Sequence, residues 1–304
     1  MEVKKDFPRN EKYRHVILTI GFYDGIHRGH QKILRDLVQQ ARIRGRRSCV
    51  ITFSPHPSEF FSHQPIPLLT AWEEKLEILD QLGVDLVINF AFTSEFASQS
   101  SYSFIRKLNE ALKVEEIIIG EDFVFGKNRE GSVNWLKERK SEFGYKLKVM
   151  PLLKVGKEKL SSSLIRHWLR EGRIREVTQW LGRPPTILGE VVEGKSRGKL
   201  LGYPTANLEP HPDKLLPCPG VYAGRVILKE GIFKGIVNIG GKPTFGENSV
   251  GVEAHILGFK GNVYGEKMKI ELVDKIREIR KFSSPFSLVR RLEEDKRIAE
   301  EIVK

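Results

Sequence analysis

From His15 to about Pro151, short β-branched runs (VILTI, SCVITFS, DLVINF, EEIIIG and YKLKVMP) alternate with longer stretches of mixed polar and apolar residues. Strands separated by amphipathic helices predict a parallel α/β sheet. The first helix places Ile33, Leu34, Leu37, Val38 and Ala41 at helical spacing. The next opens with Thr70 followed by Glu73, the pattern of a capping box, ahead of Leu76 and Leu79. A helix is expected after Ser161 to Ser163, and another from about Arg173 to Leu181, which Gly182 ends before Pro184 and Pro185.

Beyond those prolines the rhythm changes. Strand-like runs broken by glycine follow one another closely: TILGEVV, GVYAGRVIL, FKGIVNIGG, VEAHILGF and NVYGEKMKIELV. Such spacing predicts a small antiparallel β-barrel. From Pro285 to Lys304, Leu288, Val289, Leu292, Ile298 and Ile302 form one stripe, so a terminal helix packed on the barrel is expected. The fold class is thus α/β plus all-β: a Rossmann-like parallel-sheet domain over residues 1–184 and a barrel domain over 185–304.

A length of 304 residues exceeds what one core usually serves, which agrees with two domains. The first fifteen residues are charged where a secretory signal needs an apolar stretch, and nowhere do eighteen apolar residues run together. Cys49 and Cys218 stand far apart and outside any CxxC pattern, so neither a disulfide framework nor a structural zinc site is suggested, and a cytoplasmic protein is expected. The net charge of +12 suits nucleic acid, an anionic membrane or phosphorylated small molecules. The densest basic run, RIRGRR from Arg42 to Arg47, falls where the first helix ends and meets its negative dipole end, which favours a structural role over nucleic-acid binding.

The chemistry concentrates at LTIGFYDGIHRGHQKIL, where a glycine turn joins a strand's carboxyl end to a helix start. Open α/β sheets bind ligands there, and the free amides of the helix start favour phosphate. His27 and His30 are three apart in that first turn, and Gly25 and Gly29 allow a nucleotide to approach the backbone. Zinc needs a third ligand, and nothing orders Asp24 and His56 into a metal spacing.

Gly21, Asp24, Gly25, His27, Gly29 and His30 match the G-x-F-D-G-x-H-x-G-H signature, so the chain resembles the H-x-G-H nucleotidyltransferases, with Tyr23 in place of phenylalanine. The resemblance implies that the two histidines stabilise a pentacoordinate transition state at the ATP α-phosphate, without a covalent intermediate. TFSPHP (Thr52 to Pro57), GEDFVFGKNREG (Gly120 to Gly131) and LSSSLIR (Leu160 to Arg166) narrow it to the FAD synthetase branch. They imply flavin contacts from Phe53, Pro55, His56, Asp122, Phe123 and Phe125. Nucleotide contacts are implied for Gly21, Asp24, Gly25, Gly29, Ser161, Ser162, Ser163 and Arg166. Asp122 stands where some members have asparagine.

In the second half, GKSRGKLLGYPTAN fails as a P-loop: only three residues separate Gly194 from Gly198, and Leu200 replaces the Ser or Thr. It resembles the G-R-x-L-G-[FY]-P-T-A-N segment of riboflavin kinases, with Arg197 before Gly198. That implies nucleotide contacts at Gly198 and Lys199, Mg²⁺ at Thr205 and Asn207, Glu253 as general base, and a flavin contact at Arg277. GVYAG, GIVNIGGKPTFG, VEAHILGFKGNVYG and IREIRKF follow in that family's order.

Together the motifs resemble the bifunctional riboflavin kinase/FAD synthetases. The expected reactions take riboflavin to FMN and FMN to FAD, with ATP as co-substrate, Mg²⁺ as cofactor, no nucleic-acid or membrane partner, and the oligomeric state open. The rivals are another H-x-G-H adenylyltransferase, or a basic RNA-binding regulator derived from one. The second is disfavoured by the intact His27, His30 and Glu253. A class I aminoacyl-tRNA synthetase is set aside because its partner signature is missing.

Overall fold

A computed structural model describes residues 1–62, 64–193, 203–241 and 250–304. The chain divides into two compact units, one made of residues 1–66 and 75–161, the other of 67–74 and 162–304.

The first unit is built on a six-stranded parallel sheet. Its strands are β1 (Glu2–Lys4), β2 (Val16–Ile20), β3 (Arg47–Ser54), β4 (Leu86–Ala91), β5 (Glu116–Gly120) and β8 (Lys146–Met150), in spatial order β1-β4-β3-β2-β5-β8. Two short hairpins, β6 (Val124–Phe125) with β7 (Gly131–Ser132) and β9 (Lys154–Val155) with β10 (Glu158–Lys159), decorate it. Every residue of β2 is buried, as expected of a parallel strand covered on both faces. Val16, Leu18 and Ile20 join Phe104, Ile105 and Leu108 of α5 (Ser101–Leu112), while α1 (Arg28–Ile43) contacts β2 and β3. The strand order reverses beside β2, which puts the topological switch point at the carboxyl ends of β2 and β5. The edge strand β1 comes from the leading residues, to which no structure was assigned from sequence. Arg44, Arg46 and Arg47 of the basic run pair with Glu116, Glu115 and Glu2 at 2.8, 2.8 and 2.9 Å.

The second unit is a closed antiparallel barrel in the order β11-β12-β15-β14-β13-β16. Its strands are β11 (Thr186–Val192), β12 (Ala206–Pro210), β13 (Gly220–Leu228), β14 (Gly231–Gly241), β15 (Val250–Ile256) and β16 (Lys267–Arg277). One expectation needs correction: the final strand starts at Lys267 rather than Asn262. In the Pro-Thr-Ala-Asn segment, Ala206 and Asn207 pair in β12.

The terminal helix α9 (Pro285–Ile302) starts at a capping box of Ser284 and Ser287, and Ala299 and Val303 pack on Val221, Ala223 and Ile236. Its inner face also carries Asp295, 0% exposed, which accepts hydrogen bonds from Arg277 (2.8 Å from Nη2) and Arg291 (2.9 Å from Nε).

The helices α7 (Ser162–Arg170) and α8 (Ile174–Leu181) group with the barrel, as does the segment 67–74. The helix α3 (Trp72–Gln81) follows Thr70 and Ala71, and Glu73 pairs with Lys267 at 2.8 Å. Glu74 reaches back, and its Oε2 accepts from Ala71 N at 3.0 Å. The same carboxylate accepts from Leu188 N (3.1 Å) and pairs with Lys214 at 2.5 Å, with 1% and 2% of the two side chains exposed.

Candidate active sites

At the switch point β2 runs directly into a tight turn. Tyr23 (φ 55°, ψ 40°), Gly25 (φ 77°) and Ile26 (φ 39°) all lie at positive φ. For the two non-glycine residues this costs roughly 1 kcal/mol or more each, so the surroundings must hold it. The Tyr23 hydroxyl shares a 2.5 Å hydrogen bond with Thr19 Oγ1, whose hydroxyl also lies 2.6 Å from the Ile118 carbonyl of β5. The ring lies so close under Gly21 that a Cβ there would come within 2.9 Å of it. The hydroxyl that distinguishes Tyr23 from the signature's phenylalanine therefore ties the turn to the sheet.

His27 caps α1, its Nδ1 accepting from His30 N at 3.3 Å. An acceptor Nδ1 leaves the proton of a neutral ring on Nε2. The two imidazoles stack at 3.6 Å and 18°. Burial, and after it the charges of His27, Lys75 and Lys159, hold the His30 pKa well below its usual value, so His30 is neutral at pH 7. Asp24 and Gly25 are buried in the turn, and a Cβ on Gly29 would come within 3.1 Å of the His27 ring. The arrangement is two stacked imidazoles at a helix N-terminus, where free amides and the dipole attract phosphate.

A cavity of about 960 Å³ lies in the same unit, lined by Ile20 at the end of β2 and by Phe53, Phe92, Phe96, Phe123 and Phe125. Aromatic walls of this extent suit a planar heteroaromatic ring. Of the sequence-derived flavin residues, Phe53, Phe123 and Phe125 line it, whereas Pro55, His56 and Asp122 do not. The His56 ring packs on Phe22 at 4.2 Å and its Nδ1 accepts from Ser58 N at 3.0 Å, and Asp122 is paired with Lys159. Phe92 and Phe96 were missed. Phe92 follows β4 in the connecting loop and Phe96 lies in the short helix Ser94–Ala97 just after it, and that position past a strand's carboxyl end was the available signal.

In the second unit Ser162 and Ser163 open α7, and Arg166 is buried with Nε donating to the Pro67 carbonyl at 3.0 Å. Ser161 ends the first unit.

The barrel assembles another group. Glu253 on β15 lies in register with Asn207 on β12 and with Asn238 on β14, so the three side chains form a row across three strands. Val252 and Ala254, which flank Glu253, are completely buried, which leaves Glu253 on the opposite face. His255 Nδ1 lies 2.7 Å from the Pro204 carbonyl, next to Thr205. Asn238 was missed from sequence because only strand register reveals its alignment. Arg277 is held by Asp295 and stacks over Phe282 at 5.6 Å. Gly198 and Lys199 lie outside the described residues.

The FAD synthetase family model matches residues 9–164 and the riboflavin kinase model residues 181–303. The bifunctional riboflavin kinase/FMN adenylyltransferase of Listeria monocytogenes is 33% identical over 92% of this chain and 90% of its own. That of Bacillus subtilis is 34% identical over 93% and 91%. This chain belongs to the bifunctional riboflavin kinase/FMN adenylyltransferase family. Its activities are phosphorylation of riboflavin to FMN and adenylylation of FMN to FAD, with ATP as donor in both.

A crystal structure described as a macrolide-efflux protein from Streptococcus pneumoniae superposes with a TM-score of 0.86 and 29% identity, covering 94% of each chain. Among the described residues of this enzyme, no helix is long and apolar enough to cross a membrane.

Proposed function

We propose that His27 and His30 are the transition-state donors of FMN adenylylation. The observation that carries this is the stacked pair at the start of α1, with His30 kept neutral by burial. An FMN phosphate oxygen attacks the ATP α-phosphorus, pyrophosphate leaves, and preorganised N–H groups meet the charge that develops on the pentacoordinate oxygens. The turn glycines Gly21, Gly25 and Gly29 with Asp24, and Ser161 with the α7 residues Ser162, Ser163 and Arg166, are assigned to the nucleotide. The aromatic cavity is assigned to the flavin ring. Either histidine replaced by alanine is expected to slow adenylylation about a hundred- to a thousandfold. Riboflavin phosphorylation should continue in the same preparation; equal loss of both activities would indicate misfolding instead.

For the kinase reaction, Glu253 takes the proton of the terminal ribityl hydroxyl as its oxygen attacks the γ-phosphorus and ADP leaves. The row of Asn207, Glu253 and Asn238 supports this. Thr205 and Asn207 offer the hard, neutral oxygens that suit Mg²⁺ arriving on ATP phosphates, so they would hold it. When bound, the ion neutralises charge on the transferring phosphates. Adenylyl transfer is assigned to residues 1–184 and the kinase to 185–304, in a reducing cytoplasm that suits the free Cys49 and Cys218. Neither reaction calls for a nucleic-acid or membrane partner. Incubation with riboflavin, ATP and Mg²⁺, followed by chromatography, should show FMN first and FAD later. FMN that persists without FAD would remove the adenylylation half.

A further inference from the structure

The histidine turn has a support that neither motif set includes. Lys75, in the first turns of α3, is 3% exposed, and its Nζ donates to the Phe22 carbonyl at 2.8 Å while sitting 4.0 Å from the centre of the Phe22 ring. Thr52 Oγ1 donates to the same carbonyl at 3.2 Å. That carbonyl belongs to the peptide between Phe22 and Tyr23, the link that leads into the positive-φ turn. Burying an ammonium is expensive unless it is paired. Among the described residues this one is held by a carbonyl and a ring rather than by a paired carboxylate. A lysine that only filled space would be replaceable by an apolar side chain, so a buried cation held by a carbonyl, a ring and the charge of Asp24 beside the histidine turn calls for another reason.

We propose that Lys75 is a positioning residue of adenylyl transfer: its buried ammonium holds the Phe22–Tyr23 peptide, and through it the histidine turn, in the conformation that receives the α-phosphate, and places a positive charge behind that turn. The inference rests on the reading of His27 and His30 as donors. The charged or titratable groups acting with Lys75 are Asp24 in the turn, whose carboxylate favours the ammonium, and His30 on α1, which Lys75 helps to keep neutral. Burial pushes the Lys75 pKa down to about 8, against the opposing pull of Asp24. A lowered lysine pKa means the ammonium is present below about 8 and is lost above it. Phosphate second ionisations lie near 6, so the substrates' phosphates do not change charge in that range.

The test compares kcat/KM for FMN adenylylation with riboflavin phosphorylation from pH 6.5 to 9.5, in the full-length enzyme and in Lys75→Met, which keeps the stem but removes the donor and the charge. The wild-type adenylylation rate should fall about tenfold per pH unit above about 8 while phosphorylation does not follow it. Lys75→Met should lower kcat for adenylylation about 10- to 100-fold, the usual loss for a hydrogen bond from a charged donor. KM for FMN should change little, and the alkaline decline should disappear. A folded Lys75→Met within twofold of the parent at pH 7 would overturn the proposal. If that variant does not fold, the wild-type profile decides, and a flat adenylylation profile through pH 9.5 overturns it. His27→Ala is measured alongside: if it loses adenylylation while Lys75→Met does not, only the role of Lys75 falls, whereas full activity in both removes the donor reading itself.

Discussion

Glu253→Gln should lower riboflavin phosphorylation about a hundred- to ten-thousandfold, the range for a lost general base, while FMN supplied directly is still converted to FAD. Glutamine keeps the size and one acceptor oxygen of glutamate but does not take up the ribityl proton. The row formed with Asn207 and Asn238 is set by backbone register, so the substitution leaves the neighbouring strands in place. Binding of Mg·ATP should therefore change little, and the loss should appear in kcat. Single-turnover rates with riboflavin, beside adenylylation rates with FMN, make the comparison within one preparation. A kinase rate within a few-fold of the parent would remove Glu253 from the proton transfer and leave positioning alone to explain the rate.

Glu74→Ala should destabilise the barrel unit by about 3–5 kcal/mol, the usual consequence of removing one member of a buried ion pair. Lys214 would keep its ammonium without the carboxylate 2.5 Å away, and the amides of Ala71 and Leu188 would lose an acceptor. Thermal unfolding of the full chain should show the kinase-active unit melting roughly 6–20 °C earlier, taking about 2–4 °C per kcal/mol for a unit of this size. The paired substitution Glu74→Leu with Lys214→Met buries no charge and should recover much of the loss. A melting point for Glu74→Ala within 2 °C of the parent would show that the pair contributes little.

The parallel sheet, the barrel and the terminal helix were legible because their apolar periodicity follows from burying one or both faces of each element. His27 and His30 were legible for a similar reason, since glycine spacing announces a turn at a helix start. What stayed hidden depended on tertiary surroundings. Glu74 and Lys75 look like ordinary solvated charges in a first helical turn, and nothing local shows that both are buried. Asn207 lies in a strand whose five residues, Ala-Asn-Leu-Glu-Pro, carry weak β-propensity, and only its pairing with β11 and β15 makes it one. Arg277 is expected from sequence to contact flavin, and its pairing with Asp295 of α9 has no local signal. Lone charges on apolar stripes, such as Asp295, carry the information that a pattern of hydrophobic positions discards.

The separation of 140 residues between Glu74 and Lys214 also bears on how the chain is made. At about 5–20 residues per second, a ribosome needs roughly 7–28 s after releasing Glu74 to supply its partner. Throughout that interval the carboxylate lacks its lysine partner and keeps only its local acceptor role toward the Ala71 amide, until Leu188 and then Lys214 arrive. The ion pair that seats this segment is completed by a residue far along the chain, which makes its docking a late event.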